Sequence, residues 1–310
     1  MRKSRSTPKL KATKIKKILV PFDFSEHSSN ALRQAIFMAK CFMAEIDLLH
    51  VIAPVYATPH YAALLPTNDV FYDKLLKSAL SNLKKIAIEA GSKEGVKINC
   101  KTSLNVIHKE ILGYAKKRKS DLIIMGTHGV SGVAEFFAGS NAYRVVSESK
   151  CPVITVQKKS STKGFKKIIL PIRTELNSRQ KVNLVATLAK VFMAKINVVG
   201  YFDNLSRSEK IKVLSYVKQV ENFLDKESIS YTTNTINGLN FTKDILAHAK
   251  KTKADLIAVM TTHDFNLSQL VTGTYSQQFV NHSKIPILSV PNTLQFEYSF
   301  ANPLLGGMPI

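Results

Sequence analysis

This chain is two copies of one unit, and that fact limits its fold more than any other feature. "KKILVPFD" at 16–23 recurs as "KKIILPIR" at 166–173, and "AKCFMAEIDLLHV" at 39–51 recurs as "AKVFMAKINVVGY" at 189–201, both at an offset of 150. Near the end of each copy "KSDLIIM" (119–125) matches "KADLIAV" (253–259), and "SKCPVITV" (149–156) matches "SKIPILSV" (283–290), now at an offset of 134. The second copy is therefore 16 residues shorter in its middle, and the missing stretch is expected where the first copy has "APVYATPHYAALLPTND". At 310 residues the chain holds two domains of ordinary size. The copies span 16–158 and 166–291, joined by a linker at 159–165 in the polar run "KKSSTKG". A basic arm, 1–15, precedes them and a tail, 292–310, follows.

Within each copy short β-branched runs alternate with longer stretches of helical period. In the first copy "KILV", "IDLLHVI", "KINCKTS", "DLIIM" and "PVITV" read as buried strands. "SSNALRQAIFMAKCF", "DKLLKSALSNLKKIAIEA", "VIHKEILGYAKKRK" and "NAYRVVSES" read as the helices between them. This alternation is the α/β class: two tandem doubly wound domains, each a five-stranded parallel sheet with helices on both faces.

Ligands of open parallel sheets sit beyond the carboxyl ends of the strands. In the first copy three segments meet there: "VPFDFSE" with Asp23, the end of the second strand near Val51, and the loop "GTHGVSGVAEFFAGSNA" (126–142) after Met125. That loop feeds a helix opening at Gly139–Ser140–Asn141, and the positive end of a helix favours an anion, commonly phosphate. Gly126 and Gly129 would let backbone fold over a phosphate chain, and Asp23 could accept from a ribose hydroxyl. The same glycines also suit a plain strand–loop–helix turn, and spacing alone leaves both readings open. The loop has no Gly-Lys-Ser/Thr, so it is not a Walker A sequence, and it lacks the tight G-x-G-x-x-G of dinucleotide folds.

The spacing Gly126-x2-Gly129-x9-Gly139-Ser140, with "PFDFSEHSSNAL" (21–32) and "IIMGTHG" (123–129), resembles the universal stress protein family, and the resemblance covers both copies. It implies strand order 3-2-1-4-5 in each domain, a stress-response role, and ATP, with or without Mg2+, as the ligand of members that keep the loop. Carried over by position, Asp23 matches the acidic residue near adenine and ribose, and Val51 the strand-two residue whose backbone meets the base. Gly126, Gly129, Gly139 and Ser140 match the phosphate loop. Pro21, Phe22, Met125, Thr127, His128 and Asn141 complete the expected site. Phe22 stands where many relatives carry a smaller residue, and Asn141 where the family varies. In the second copy Asp23 becomes Arg173, Gly126 becomes Met260 and Gly129 becomes His263, with only Gly273–Thr274 surviving. One nucleotide per chain is expected. Family members commonly dimerise through their last strand, and "CPVITV" and "IPILSV" are apolar enough to do so, so the resemblance implies that the two copies pair there across a pseudo-twofold axis, with the second copy as a built-in dimer-like partner. The competing expectation is a different anion site around Arg173 and His263.

Nothing in the loop is built for fast chemistry. It lacks the Walker lysine, Glu26 suits an exposed first-turn position, and His128 suits a solvated loop, so any ATPase activity is expected to be slow. The formal net charge is +22, of which Arg2, Lys3, Arg5, Lys9, Lys11, Lys14, Lys16 and Lys17 lie in one stretch without an acid. That arm reads as solvated or as a contact for polyanions. No zinc-finger, helix-turn-helix or RRM pattern makes it a dedicated nucleic-acid reader. The alternatives to an ATP-binding regulator are a nucleotide-free scaffold, with a homodimer or regulatory protein as partner, and a nucleic-acid- or anion-associated protein acting through the arm. No apolar run approaches the roughly 20 residues that span a bilayer. Three scattered cysteines, with Cys41 and Cys151 expected to be buried, suit a reducing, cytoplasmic setting.

Overall fold

The structure, a computed structural model, describes residues 13–54, 69–127, 139–157, 163–261 and 275–292. In the first half β1 (Lys17–Pro21), β2 (Glu45–Ile52), β3 (Ile98–Leu104), β4 (Leu122–Gly126) and β5 (Val153–Val156) alternate with α1 (Glu26–Phe42), α2 (Asp69–Ser92), α3 (Ile107–Arg118) and α4 (Ser140–Glu148). In the second half β6 (Lys167–Ile172), β7 (Lys195–Asp203), β8 (Tyr231–Gly238), β9 (Leu256–Thr261) and β10 (Ile287–Pro291) alternate with α5 (Val182–Phe192), α6 (Arg207–Lys226), α7 (Phe241–Thr252) and α8 (Tyr275–His282). The connection from β2 to α2 takes residues 53–68, whereas that from β7 to α6 takes only 204–206. That is where the copies part in length.

The ten strands form one sheet of order β3-β2-β1-β4-β5-β10-β9-β6-β7-β8. Each half is parallel, with its inner strands largely buried and its outer strands, β3 and β8, left partly exposed at the two edges of the sheet. The halves join through an antiparallel pair, with Ile287 opposite Thr155, Leu288 opposite Ile154 and Ser289 opposite Val153. The join covers an edge that each half would otherwise leave open, and its direction makes the two halves pseudo-twofold mates.

Helices α1, α2, α5 and α6 cover one face of the sheet, and α3, α4, α7 and α8 the other. On the first face the repeat-equivalent residues Phe42 and Phe192 meet, with ring centroids 6.0 Å apart. Phe37 and Phe165 also pack on Phe192, at 5.9 and 5.7 Å. The pair "KCFMA"/"KVFMA" stayed alike at the point where the copies touch each other.

Local devices repeat as well. Asp121 accepts from the backbone N–H groups of Lys16 and Lys17 at 2.7 and 2.9 Å, and Asp255 does the same for Lys166 and Lys167 at 2.8 and 2.9 Å. These carboxylates hold the start of each central strand. Cys41 differs from expectation: it is exposed, because it lies on the outward stripe of α1 while Met38 and Ala39 face the core. Apolar neighbours in sequence are not neighbours on a helix face. Cys151 is half-buried beside Ser149, and burial pushes its thiol up to about 11. Among the described residues no helix is long and apolar enough to cross a membrane.

Candidate functional site

A cleft of about 150 Å³ opens between the carboxyl ends of β1 and β4, where the strand order reverses. Pro21, Phe22 and Asp23 enter it from β1, and Val51 from β2. Met125, Gly126 and Thr127 enter from the end of β4, and Gly139, Ser140 and Asn141 from the start of α4. His128 and Gly129 lie outside the described residues. Ten of the sequence-derived site residues thus share one cleft. Sequence reasoning missed Ser28, Leu49, Ile107, Ile111 and Ala142, which also line it. Ile107 and Ile111 were readable, since residues four apart on α3 present one apolar face.

The two ends of the loop are tied together. Gly139 N–H donates to the Thr127 carbonyl at 2.6 Å, which brings the end of β4 against the start of α4. Gly139 is the N-cap of α4, with φ −55° and ψ 143° and no side chain to cap with, and the first turn of α4 has no acidic residue. The N-termini of α1, α6 and α7 are each capped by a side chain, from Ser25, Ser206 and Asn240, with Glu26, Glu209 and Asp244 in their first turns. Among the described residues, the start of α4 therefore keeps its N–H groups and dipole turned to the cleft without a capping side chain or a first-turn acid.

At the other wall Asp23 Oδ1 accepts from Ser25 N–H at 3.1 Å, and Asp23 N–H points to Ser28 Oγ at 3.4 Å. This tight turn puts Phe24 at φ +64° and packs its ring against Phe22 and His50, at 5.3 and 4.8 Å. Phe22 is buried, its N–H donates to the Leu49 carbonyl, and His50 Nδ1 lies 2.7 Å from its carbonyl. Leu49, Ile111 and Met125 make an apolar floor, so the cleft joins an apolar slot to one carboxylate and one uncapped helix start. An apolar floor, one carboxylate and a helix start are the groups that a nucleotide's base, sugar hydroxyls and phosphates would call for.

Two expected residues turn out to have other partners. A Cβ on Gly126 would lie 2.7 Å from His27 Cβ and 2.9 Å from the His27 carbonyl carbon. Its bare backbone lets the first turn of α1 approach β4. Thr127 is buried, and its hydroxyl donates to Gln157 Oε1 at 2.8 Å. Gln157 in turn donates through Nε2 to the Ser283 carbonyl at 2.7 Å, which ties the loop base of the first half to the second half.

The equivalent cleft of the second half is filled. At the repeat offsets Val51 becomes Tyr201, Ile107 becomes Phe241 and Asn141 becomes Tyr275, all larger. The Arg173 guanidinium lies between two of them, 4.6 Å from the Phe241 ring centre and 4.5 Å from that of Tyr275. It also sits 3.5 Å from Glu175 and 4.0 Å from Asp203. Tyr201 donates its hydroxyl to Asp244 at 2.8 Å, and burial raises its pKa far above the usual phenol value. Met260 is buried at the end of β9 where the first half has Gly126. Only about 40 Å³ remains open. Arg173 is thus engaged by rings and carboxylates, while His263, Gly273 and Thr274 lie outside the described residues. The filling was readable from the sequence by carrying Val51, Ile107 and Asn141 through the repeat.

A model of the universal stress protein family matches residues 14–157. Universal stress protein MJ0531 of Methanocaldococcus jannaschii is 36% identical over 145 residues, which is 46% of this chain and 82% of that protein. Universal stress protein YxiE of Bacillus subtilis is 32% identical over 145 residues, 46% of this chain and 98% of its own length. The crystal structure of a universal stress protein from Archaeoglobus fulgidus aligns over 92% of this chain and 100% of its own, with TM-score 0.73 and 18% identity, a likeness of fold across both halves.

Proposed function

The chain belongs to the universal stress protein family, and from that premise we propose that its first half binds one ATP and that the protein acts as a nucleotide-responsive regulator in the stress response. The reading rests above all on the contrast between the two clefts. One is open, apolar-floored and faced by an uncapped helix start, while its repeat mate is packed with Tyr201, Phe241, Tyr275 and Arg173. A second half that binds nothing still closes the sheet edge of the first, so it serves as a permanent partner.

The division of labour follows from the residues. The start of α4 would hold phosphates through backbone N–H groups, and Asp23 would take sugar hydroxyls. The floor of Leu49, Ile111 and Met125 would bury the base. Any hydrolysis is slow. Gln157, linking Thr127 to Ser283, is the route by which ligand binding beside Thr127 would reach the second half.

The test is direct. Purified protein is heat-denatured and the supernatant assayed for adenine nucleotide, and the thermal shift on adding ATP is compared with that of Gly139→Val. Gly139 has a φ that any residue adopts, so valine there should leave the fold intact, block the phosphates and abolish the shift. A Gly139→Val protein that still shifts with ATP would remove the loop from the account. Wild-type protein that neither carries nor binds nucleotide would leave a scaffold of the same fold.

A further inference from the structure

Away from the nucleotide cleft, a cavity of about 530 Å³ runs between α1 and α2. Its floor is apolar: Ile36 and Phe37 from α1, Ile86 and Ala90 from α2. Its rim carries cations: Arg33 and Lys40 on α1, Lys93 on α2, and Lys163 ahead of β6. Two acids share that rim. Glu94 pairs with Lys40 at 2.5 Å and Glu89 lies 3.9 Å from Lys93, so the lining is net positive. Arg33 donates one Nη2 hydrogen to Asn30 at 3.2 Å and is otherwise at the surface.

The repeat shows why the space is open. Lys40–Glu94 and Lys190–Glu227 are equivalent ion pairs and fix the register between α2 and α6. In that register the half-buried Ala90 corresponds to Phe223, which is buried in the core. A buried ring in the second half thus stands where the first half has only a methyl group. Along α1 the lining runs from Arg33 to Cys41, about 12 Å at the rise of a helix. The cavity falls in the size range of small-molecule sites, and pairs an apolar floor with a few charged groups.

We propose that the α1–α2 groove binds an amphiphilic carboxylate, with an aliphatic chain on Ile36, Phe37, Ile86 and Ala90 and its carboxylate on the rim beside Arg33. The floor excludes a fully polar ligand and the rim charge disfavours a cationic amphiphile. Phe37 also packs on Phe192 of the second half, so an occupied groove touches the contact between halves.

Dodecanoate is titrated calorimetrically into the full chain below its micelle concentration, with dodecyltrimethylammonium as the charge-reversed probe. Saturable binding of one dodecanoate per chain is expected, with the cationic probe at least tenfold weaker. Ala90→Phe, which copies the second half, should weaken dodecanoate at least tenfold, and Arg33→Glu, a surface change that leaves the fold alone, several-fold. ATP binding by both variants should be unchanged, which separates this site from the nucleotide cleft. The proposal is overturned by no saturable heat with dodecanoate, by equal affinity for both probes, or by unchanged affinity in Ala90→Phe. It is also overturned if sedimentation shows a wild-type dimer that Ala90→Phe dissociates, since the groove would then hold a second copy.

Discussion

Gly126 lies in the expected phosphate loop, yet the structure gives it a second task that can be measured without any ligand. Replacing it with alanine adds one methyl group. That methyl would lie 2.7 Å from His27 Cβ, 2.9 Å from the His27 carbonyl carbon and 3.1 Å from its oxygen. Two of these three atoms are backbone, so rotating a side chain does not relieve the contact, and α1 must move off β4. Overpacking of this kind costs about 1–3 kcal/mol. At about 2–4 °C per kcal/mol the melting temperature should fall by several degrees. Gly113 is the internal control: it lies within α3, and a Cβ there meets nothing within 4 Å. Gly113→Ala should stabilise by about 0.5–1 kcal/mol through helix propensity alone. The assay is thermal and urea unfolding of both variants without nucleotide. If Gly126→Ala were as stable as wild type, the close approach of α1 would be wrong, and the glycine would have to be explained by its ligand alone.

Other consequences follow from the packing and the charges. Phe192 is buried and touches Phe37, Phe42 and Phe165; Phe192→Ala should cost about 3–5 kcal/mol in urea unfolding and separate the melting of the two halves. Lys181 is fully buried, and desolvation holds its pKa down at about 7. The unfolded chain keeps this proton between about pH 7 and 10 while the folded one sheds it, so stability should rise with pH through that window and be lowest below it. Lys181→Met should flatten that rise and stabilise the protein near pH 6 by up to about 5 kcal/mol, as read from unfolding at pH 6 and pH 9. Met193 ends α5 in the left-handed region at φ 50° with its side chain exposed; Met193→Gly should stabilise by about 1 kcal/mol in the same assay.

The alternation of β-branched runs and helical periods located the five strands of the first half, and the repeat carried four of them to the second; β8, "YTTNTING", is a largely exposed edge strand with no apolar run to reveal it, and β3, expected to be buried, is an edge strand of mixed exposure. The joining edge was implied by the family resemblance, and "CPVITV" and "IPILSV" are compatible with it because neither run carries a charge that would block pairing. What stayed hidden is what depends on distance in space. Nothing near Gly126 in sequence points to His27, and nothing at Thr127 points to Gln157 and Ser283. Cys41 was misread because apolar neighbours along the chain were taken for a buried environment. The filling of the second cleft sat between these cases. Arg173 and Met260 stood out as lost site residues, but Tyr201, Phe241 and Tyr275 needed the repeat to be carried to positions with no motif of their own.

The central claim is an asymmetry, one open cleft and one plugged, and stoichiometry tests it most directly. Calorimetric titration of Mg-ATP into the nucleotide-free chain should saturate at one ATP per chain, and that signal should vanish in Gly139→Val while Arg173→Ala leaves the count at one. Saturation at two per chain, or none in wild-type protein at millimolar nucleotide, would contradict it.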